Sequence, residues 1–219
     1  GVPYTVAKML AESDKHDLGC HTGTISDAFL ELYQAGKLTN AHKELDTGLS
    51  AWNLAMGSQE LYDWLDAEPQ LFHPGDLDYI HSVERISKLS NVISINGGVQ
   101  LDLMGQENAE STGTRQLSGV GGQMDFLEGA YRSKGGKGFI CINSSRVTKD
   151  GERKSNILAT IPGGSTISAP RTMIQYVATE YGIASLSGKT LRERAEAMAS
   201  IAHPDFREEL MKYARENFK

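Results

Sequence analysis

The 219-residue chain has few cysteines, no run of basic residues and no long apolar stretch. Its two cysteines, Cys20 and Cys141, cannot build a disulfide framework, which favours a reducing, cytoplasmic setting. No apolar run approaches the roughly 18 residues that span a bilayer, and no signal peptide opens the chain, so no membrane association is predicted. The net charge of −6, without a Lys/Arg cluster, indicates no nucleic-acid partner.

Signatures of common nucleotide, metal and hydrolase sites are also missing. Segment 119–124 has Met124 where a dinucleotide-binding GxGxxG motif needs its last glycine, and the P-loop-like segment 182–190 has its first glycine one residue too early. The histidines show no i, i+4 pairing and no cysteine at ligand spacing, so no metal site is predicted. Ser144-Ser145 lacks the GxSxG elbow of a serine hydrolase.

Glycine is abundant, with 23 residues, and several of them form four clusters between predicted strands and helices. Such clusters let the backbone approach a ligand closely or donate several N–H groups to an anion. Gly121-Gly122 directly precedes a predicted helix over 123–132, whose dipole favours an anion at that end. The clusters therefore predict an anion-binding site, and tight turns alone are the alternative. They occupy positions 97–98, 119–122, 135–138 and 163–164.

Apolar periodicity predicts strands interleaved with helices. Because strands and helices alternate through the first half, we predict an α/β fold with an open, mostly parallel sheet flanked by helices, in a single domain. Segment 70–81, rich in polar residues, is predicted to be a loop, and 149–152 a hairpin turn. Predicted strands cover 16–21, 49–56, 92–95, 99–103, 138–142, 156–161 and 176–179; further helices cover 60–66, a capped segment from Thr190 and a segment from Pro204.

Eight strings spread over the chain carry a family resemblance. Taken in order, they resemble the acetyl-CoA hydrolase/transferase family, in its butyryl-CoA:acetate and 4-hydroxybutyrate CoA-transferase branch. The resemblance implies a class I CoA-transferase-like (NagB/RpiA/CoA-transferase-like) fold. The strings are DLGCHT (17–22), LDLMGQ (101–106), ESTGTR (110–115), GGQMDF (121–126), KGGK (134–137), PRT (170–172), TEYG (179–182) and IAHPDFR (201–207).

The resemblance also implies an architecture and partners. Family members are longer and place their active site between two similar α/β domains. Residues 1–219 resemble the C-terminal domain alone, beginning as the family's glycine loop ends at Gly1-Val2-Pro3 and lacking the N-terminal domain. The implied ligands are coenzyme A, as an acyl-CoA substrate, and a small carboxylate such as acetate. A homo-oligomer without a metal is expected.

The resemblance implies a covalent mechanism in which a glutamate attacks the acyl-CoA thioester. An acyl-glutamyl anhydride and then a glutamyl-CoA thioester form before the acceptor carboxylate takes the CoA. The family reads His-Thr-Glu or His-Ser-Glu where this chain reads His21-Thr22-Gly23, so Gly23 occupies the position of the nucleophile without its side chain. Transfer by this chain is therefore expected to be absent or very slow.

The family's ligand contacts are carried over to four positions. Gly98, Gly121 and Gly122 are the implied CoA contacts, and Lys137 is an implied contact of a phosphate or of the pantetheine arm. Asn96-Gly97-Gly98 stands where Asn-Asn-Ala is more usual, which predicts a modest change in CoA contacts.

Two nearby side chains could replace the missing carboxylate. Asp27 is expected in the first turn of the next helix, where an acidic residue more often interacts with the dipole, and Cys20 is more often a small buried apolar residue. Two other functions stay open: a non-catalytic CoA-binding or assembly module, and an acyl-CoA hydrolase, for which no residue that would activate water is evident.

Overall fold

The computed structural model describes residues 2–218, and contacts within the chain divide it into two units. The first unit runs to Val92 and also contains Arg132–Gly136, and the second unit contains the remaining residues. Each unit has its own core of buried apolar side chains. That residues 1–219 form one C-terminal domain stays a prediction.

The first unit contains a three-stranded parallel sheet in the order β1-β2-β3. Its strands are β1 (His21–Ile25), β2 (Ser50–Ala55) and β3 (Phe72–Pro74). The register places His21 opposite Ala51, and Ala51 opposite His73. The helices are α1 (Val2–Ala11), α2 (Asp27–Gln34), α3 (Gln59–Ala67), α4 (Leu77–Ile80) and α5 (Val83–Lys88), with a 3₁₀ turn at Pro69–Leu71.

Two sequence predictions for this unit are wrong. The predicted loop over 70–81 contains β3 and α4, because buried Phe72 pairs with Ser50 and Pro74 is tolerated on an edge strand. Of the strand predicted over 16–21, only His21 belongs to a strand, the first residue of β1. Asp17 has a φ of 53°, which interrupts extended backbone before it. By contrast, the strand predicted over 49–56 is confirmed by β2.

The second unit contains a four-stranded sheet in the order β14-β13-β9-β4. Strands β4 (Ile93–Gly97), β9 (Lys137–Cys141) and β13 (Tyr176–Thr179) are mutually parallel, and β14 (Gly182–Ser185) is an antiparallel edge strand. The mostly parallel α/β prediction is confirmed. Shorter strands are β5 (Gln100–Asp102), β6 (Glu107–Asn108), β7 (Ser111–Thr112), β8 (Arg115–Gln116), β10 (Ser145–Val147), β11 (Arg153–Ser155) and β12 (Ile157–Leu158).

Three helices complete the second unit, and their starts agree with the sequence. They are α6 (Gln123–Arg132), α7 (Leu191–Ser200) and α8 (Pro204–Asn217). The predicted capping box at the start of α7 is confirmed, because Thr190 Oγ1 accepts from Glu193 N and Glu193 Oε2 accepts from Thr190 N at 2.7 Å. The predicted hairpin turn at 149–152 joins β10 to β11. The strand predicted over 156–161 is too long, since β12 has two residues.

The parallel register gives the second sheet two distinct edges. Gly97, Cys141 and Ala178 lie opposite one another, so the carboxyl ends of β4, β9 and β13 share one edge. Helix α6 ends just before β9 begins and runs back across the sheet, with Leu127 packed where a Cβ on Gly138 would lie. A ten-residue helix spans about 15 Å, so the start of α6 lies toward the carboxyl edge.

Arg194 on α7 joins three segments of the second unit. Its guanidinium donates to Met104 O at 2.9 Å, to Leu186 O at 2.7 Å and to Arg171 O at 2.8 Å. The Arg194 side chain and Leu186 are buried, so Leu186 O would lose its partner without gaining water, whereas Met104 O and Arg171 O are part-buried. The planar fork of arginine supplies these donors in fixed directions that a lysine cannot reproduce.

Replacing Arg194 with lysine is therefore expected to destabilise the protein. The Arg194→Lys change leaves one buried and two part-buried carbonyl oxygens without these donors and should lower the free energy of unfolding by about 1–3 kcal/mol. The matched control is Arg192→Lys on the same helix, where an exposed pair with Glu196 contributes at most about 0.5 kcal/mol. Urea unfolding of both variants measures the difference, and equal midpoints would contradict this role.

Candidate functional site

Gly23 lies in the middle of β1. Its neighbours Thr22 and Thr24 are opposite Trp52 and Leu54 of β2. Side chains alternate along a strand, so position 23 belongs to the same face as His21 and Ile25. Ile25 is buried, and Gly23 is part-exposed. Gly23 does not have the left-handed backbone conformation of the residues with positive φ, so this strand position accepts a larger side chain without backbone strain.

His21 is held in one tautomer two residues before Gly23. Its Nε2 lies 2.8 Å from Ile80 O, and because a carbonyl oxygen only accepts, Nε2 must carry the proton. Burial has the largest effect on the pKa of His21 and lowers it; the charge of Lys43 lowers it further, and the hydrogen bond to Ile80 O opposes the shift. His21 is therefore a neutral, fixed donor at neutral pH, which suits a residue that orients the strand.

Asp27 does not stand free as a replacement carboxylate. It begins α2 as predicted, and its carboxylate accepts from Ser58 Oγ at 2.7 Å and from Ser58 N at 3.1 Å. Gly57 packs against it so closely that a Cβ there would lie 2.8 Å from Oδ2. Asp27 thus fixes the start of α3, an interaction that the sequence did not predict.

Cys20 is equally unsuited to replace the glutamate. Its side chain is 1% exposed, and burial raises the pKa of its thiol to about 12, with only partial compensation from Lys43. A thiol with that pKa carries almost no thiolate at neutral pH, and the thiolate is the nucleophile. The structure supports the interpretation of Cys20 as a small apolar core residue.

A buried carboxyl group occupies the carboxyl edge of the second sheet. Glu107 on β6 is fully buried, and its Oε2 accepts from Gln123 Nε2 at 2.6 Å. Its Oε1 has no hydrogen-bond partner among the described residues and would lie 2.8 Å from a Cβ built on Gly98. The Glu107 side chain therefore lies between Gly98, which follows β4, and Gln123, which begins α6.

The environment of Glu107 keeps much of it protonated near neutral pH. Burial raises its pKa to about 7, the hydrogen bond from Gln123 lowers it, and the charge of Glu110 raises it. The orphaned Oε1 is consistent with a neutral acid, because a buried carboxylate oxygen without a donor is costly. Glu107 was not predicted from the sequence; its one signal was an acidic residue directly after LDLMGQ (101–106), a string of the resemblance.

The structure brings three of the four implied CoA contacts to the same edge. Gly98 follows β4, and Gly121 and Gly122 immediately precede Gln123. Gly121 has a φ of 61°, which explains a glycine there, and no atom lies within 4 Å of a Cβ built on it. These positions fit a ligand with anionic groups, since they combine exposed backbone with the start of a ten-residue helix.

Lys137 lies at the other end of the sheet. It is the first residue of β9, opposite Ile93 at the start of β4, and it is exposed. Along a strand, four residues separate it from the carboxyl edge, about 13 Å. The sheet therefore does not place Lys137 beside Gly98, and its contact with CoA stays a prediction.

Gly23 belongs to the first unit, and the other implied residues belong to the second.

A further contact at the carboxyl edge joins β9 to β13. Ser144, soon after β9, donates from its hydroxyl to Glu180 Oε1 at 2.6 Å and from its backbone N to Oε2 at 2.9 Å. This explains the position of Ser144 without a hydrolase triad.

Among the described residues, no group of three or more His, Cys, Asp or Glu side chains could hold a metal. Over the same part of the chain, each helix is too short or too polar to cross a membrane.

Comparison with known proteins identifies relatives for almost the whole chain. The family described as the acetyl-CoA hydrolase/transferase C-terminal domain matches residues 57–214. The butyryl-CoA:acetate CoA-transferase of Anaerostipes caccae is 44% identical over 98% of this chain and 48% of its own length. The chain thus spans about half the length of that curated relative.

Two solved structures share the fold. The crystal structure of RipA from Yersinia pestis matches with a TM-score of 0.89 and 38% identity, over 99% of this chain and 47% of that protein. The 4-hydroxybutyrate CoA-transferase of Porphyromonas gingivalis matches with a TM-score of 0.82 and 36% identity, over 100% of this chain and 50% of that protein.

Thiol labelling tests the assignment of Cys20 to the core. In a Cys141→Ser variant, where Cys20 is the only thiol, Ellman's reagent should label the native protein at least about 10²-fold more slowly than the urea-unfolded protein, because a protonated thiol does not react. The reciprocal Cys20→Ser variant, which keeps the part-exposed Cys141, is the control. Labelling of native Cys20 at the unfolded rate would show that a thiolate is available.

A double-mutant cycle tests the contact between Gly98 and Glu107. Gly98→Ala places a methyl group 2.8 Å from Glu107 Oε1 and 3.0 Å from Ile142 Cγ2, and should destabilise the protein by about 1–3 kcal/mol. Adding Glu107→Ala removes one of the two clashes, so the pair should show at least about 1 kcal/mol of favourable coupling.

The neighbouring Gly97 provides the control for this cycle. No atom lies within 4 Å of a Cβ built on Gly97, so Gly97→Ala should change the free energy of unfolding by less than about 1 kcal/mol. Additive effects of the two substitutions at positions 98 and 107 would show that the two residues are independent.

Proposed function

The chain belongs to the acetyl-CoA hydrolase/transferase family, and from that premise we propose that it is the CoA-binding half of an enzyme that exchanges CoA between a short-chain acyl-CoA and a carboxylate such as acetate. The observation that carries the proposal is the match of fold and sequence along 98% of the chain to a butyryl-CoA:acetate CoA-transferase. The glycine-rich carboxyl edge of the second unit supports it with a place for an anionic ligand.

The proposed chemistry depends on position 23. In the family's route a glutamate oxygen attacks the thioester carbon and the C–S bond breaks, giving an anhydride and CoA thiolate. The thiolate then attacks the glutamyl carbonyl, releases the acyl group as a carboxylate and leaves a glutamyl-CoA thioester. Gly23 offers no oxygen for the first step, and neither Asp27 nor Cys20 is available to replace it. We expect the covalent route to be blocked in this chain.

The proposed ligand contacts follow from the carboxyl edge. Gly98, Gly121 and Gly122 would let CoA approach the backbone, and N–H groups there, with the α6 dipole behind them, would favour its phosphates or a developing oxyanion. Lys137 would contact a phosphate or the pantetheine arm from the other end of β9. Ligands of open α/β sheets commonly bind outside the carboxyl ends of the strands, which favours the three glycines over Lys137.

The proposal extends to partners that the resemblance implies. An N-terminal α/β domain of the same protein would complete the active site and select the acyl group. A cytoplasmic homo-oligomer without a metal is the expected setting.

A second candidate function is favoured by Gly23 itself. A chain that keeps the CoA-binding edge but lacks the carboxylate could act as a non-catalytic CoA-binding or assembly module. Acyl-CoA hydrolysis is less favoured, because the sequence offers no residue that would evidently activate water.

Restoring the carboxylate tests the proposed function. Gly23→Glu should raise CoA transfer from butyryl-CoA to acetate by at least about 10³-fold, because losses of a catalytic nucleophile are commonly this large or larger. The assay measures acetyl-CoA formation in the full-length protein. Gly23→Gln, which has the same size and no nucleophilic oxygen anion, is the matched control and should stay at the unmodified rate.

Two outcomes would contradict the proposal. Transfer by the unmodified protein at the rate of Gly23→Glu would show that position 23 is not the missing nucleophile. Calorimetry that detects no CoA binding by either form would overturn the assignment of Gly98, Gly121 and Gly122.

A further inference from the structure

Glu107 is a buried titratable group that the covalent route does not use. It is fixed from several sides: its backbone N donates to Ala169 O at 3.0 Å, and its backbone O accepts from Ser168 N at 2.8 Å. Its carboxyl group holds Gln123 at the start of α6. A side chain so constrained cannot turn toward water without disturbing its neighbours.

The groups around the Glu107 carboxyl are apolar, neutral or negative. Ile140 on β9 and Ile142 just after it lie beside Gly98, Gln123 faces the carboxyl group from α6, and Glu110 contributes a negative charge from the segment after β6. Among the described residues, no cation forms an ion pair with it. Nothing in this environment favours the ionised form except the amide of Gln123 and the start of the helix.

We propose that Glu107 is a proton-linked positioning residue of the CoA site, which takes up a proton when CoA binds and thereby holds Gln123 and the start of α6 in place. The inference rests on the proposed function, since it assumes that CoA lies against Gly98 and Gly121-Gly122. The phosphates of CoA bring negative charge close to Glu107, and a nearby like charge disfavours its ionised form. Because this coupling is reciprocal, protonation of Glu107 strengthens CoA binding by the same free energy by which CoA binding favours protonation.

Gly98 is the residue that makes room for this carboxyl group. A side chain at position 98 would meet Glu107 Oε1 and two isoleucine methyl groups. The lack of a side chain at position 98 therefore leaves room for the Glu107 carboxyl group.

Isothermal titration calorimetry with CoA measures the coupling directly. Titrations at a pH just above the Glu107 pKa of about 7, in buffers with different ionisation enthalpies, give the number of protons taken up per CoA bound. The unmodified protein should take up a larger fraction of a proton than Glu107→Gln, by up to about one proton. CoA phosphate groups with a second pKa of about 6 contribute equally to both proteins.

Affinity should show the same coupling. Above the pKa of Glu107, the Kd of the unmodified protein for CoA should rise by up to about tenfold per pH unit, relative to the Kd of Glu107→Gln. A residue with a purely structural role would change affinity without changing this slope. Glu152→Gln, the same change on the exposed β10–β11 hairpin, should keep the proton uptake of the unmodified protein.

A second variant keeps the test decisive if Glu107→Gln does not fold. Gln123→Met removes the hydrogen bond that lowers the pKa of Glu107, so the pH range of proton uptake should move upward. Equal proton uptake by the unmodified protein and Glu107→Gln, or an unchanged range in Gln123→Met, would overturn the inference while CoA binding stands. No binding heat in any variant would overturn the proposed CoA site itself.

Discussion

The parallel hydrogen-bonding of β4, β9 and β13 is the constraint on which the glycine-rich half of the molecule depends. Parallel strands need long connections, and here the connection between β4 and β9 returns through α6. That return places the start of α6 at the edge where β4 ends, so Gly98 and Gly121-Gly122 come together although they lie far apart in sequence. The same register puts Lys137 at the opposite edge.

Glu107 gives this edge a chemical character that its glycines alone would not have. The glycines provide backbone N–H groups and space. Because the pKa of Glu107 is about 7, the proposed CoA binding at this edge should depend on pH near neutrality. The first unit contributes a different element: a strand whose His21 is fixed by Ile80 and whose position 23 lacks a side chain. Family membership is shown by the comparisons, whereas CoA binding at this edge and the loss of a nucleophile at position 23 are proposals, so membership and catalytic activity are tested separately.

The sequence predicted local features well and non-local ones poorly. Helix α6, strand β13 and the capping box at Thr190 depend on short-range patterns, and the structure reproduces them. Strand β3 was missed because its apolar character is one residue, Phe72, whose burial depends on pairing with β2. Glu107 was missed because its partner Gln123 is 16 residues away and only the sheet topology brings them together. The separation of Lys137 from Gly98 likewise requires knowing the strand direction.

The expected role of position 23 comes from the resemblance alone and stays a prediction. A glycine in a strand has no distinguishing local pattern, and the structure adds that its backbone accepts a larger residue. Intact-protein mass spectrometry after incubation with butyryl-CoA tests the central claim most directly. We expect no covalent CoA or acyl adduct on the unmodified full-length protein. On Gly23→Glu we expect a hydroxylamine-sensitive CoA adduct, which proteolytic digestion should place on the β1 peptide. A hydroxylamine-sensitive CoA adduct on the unmodified protein would contradict this expectation.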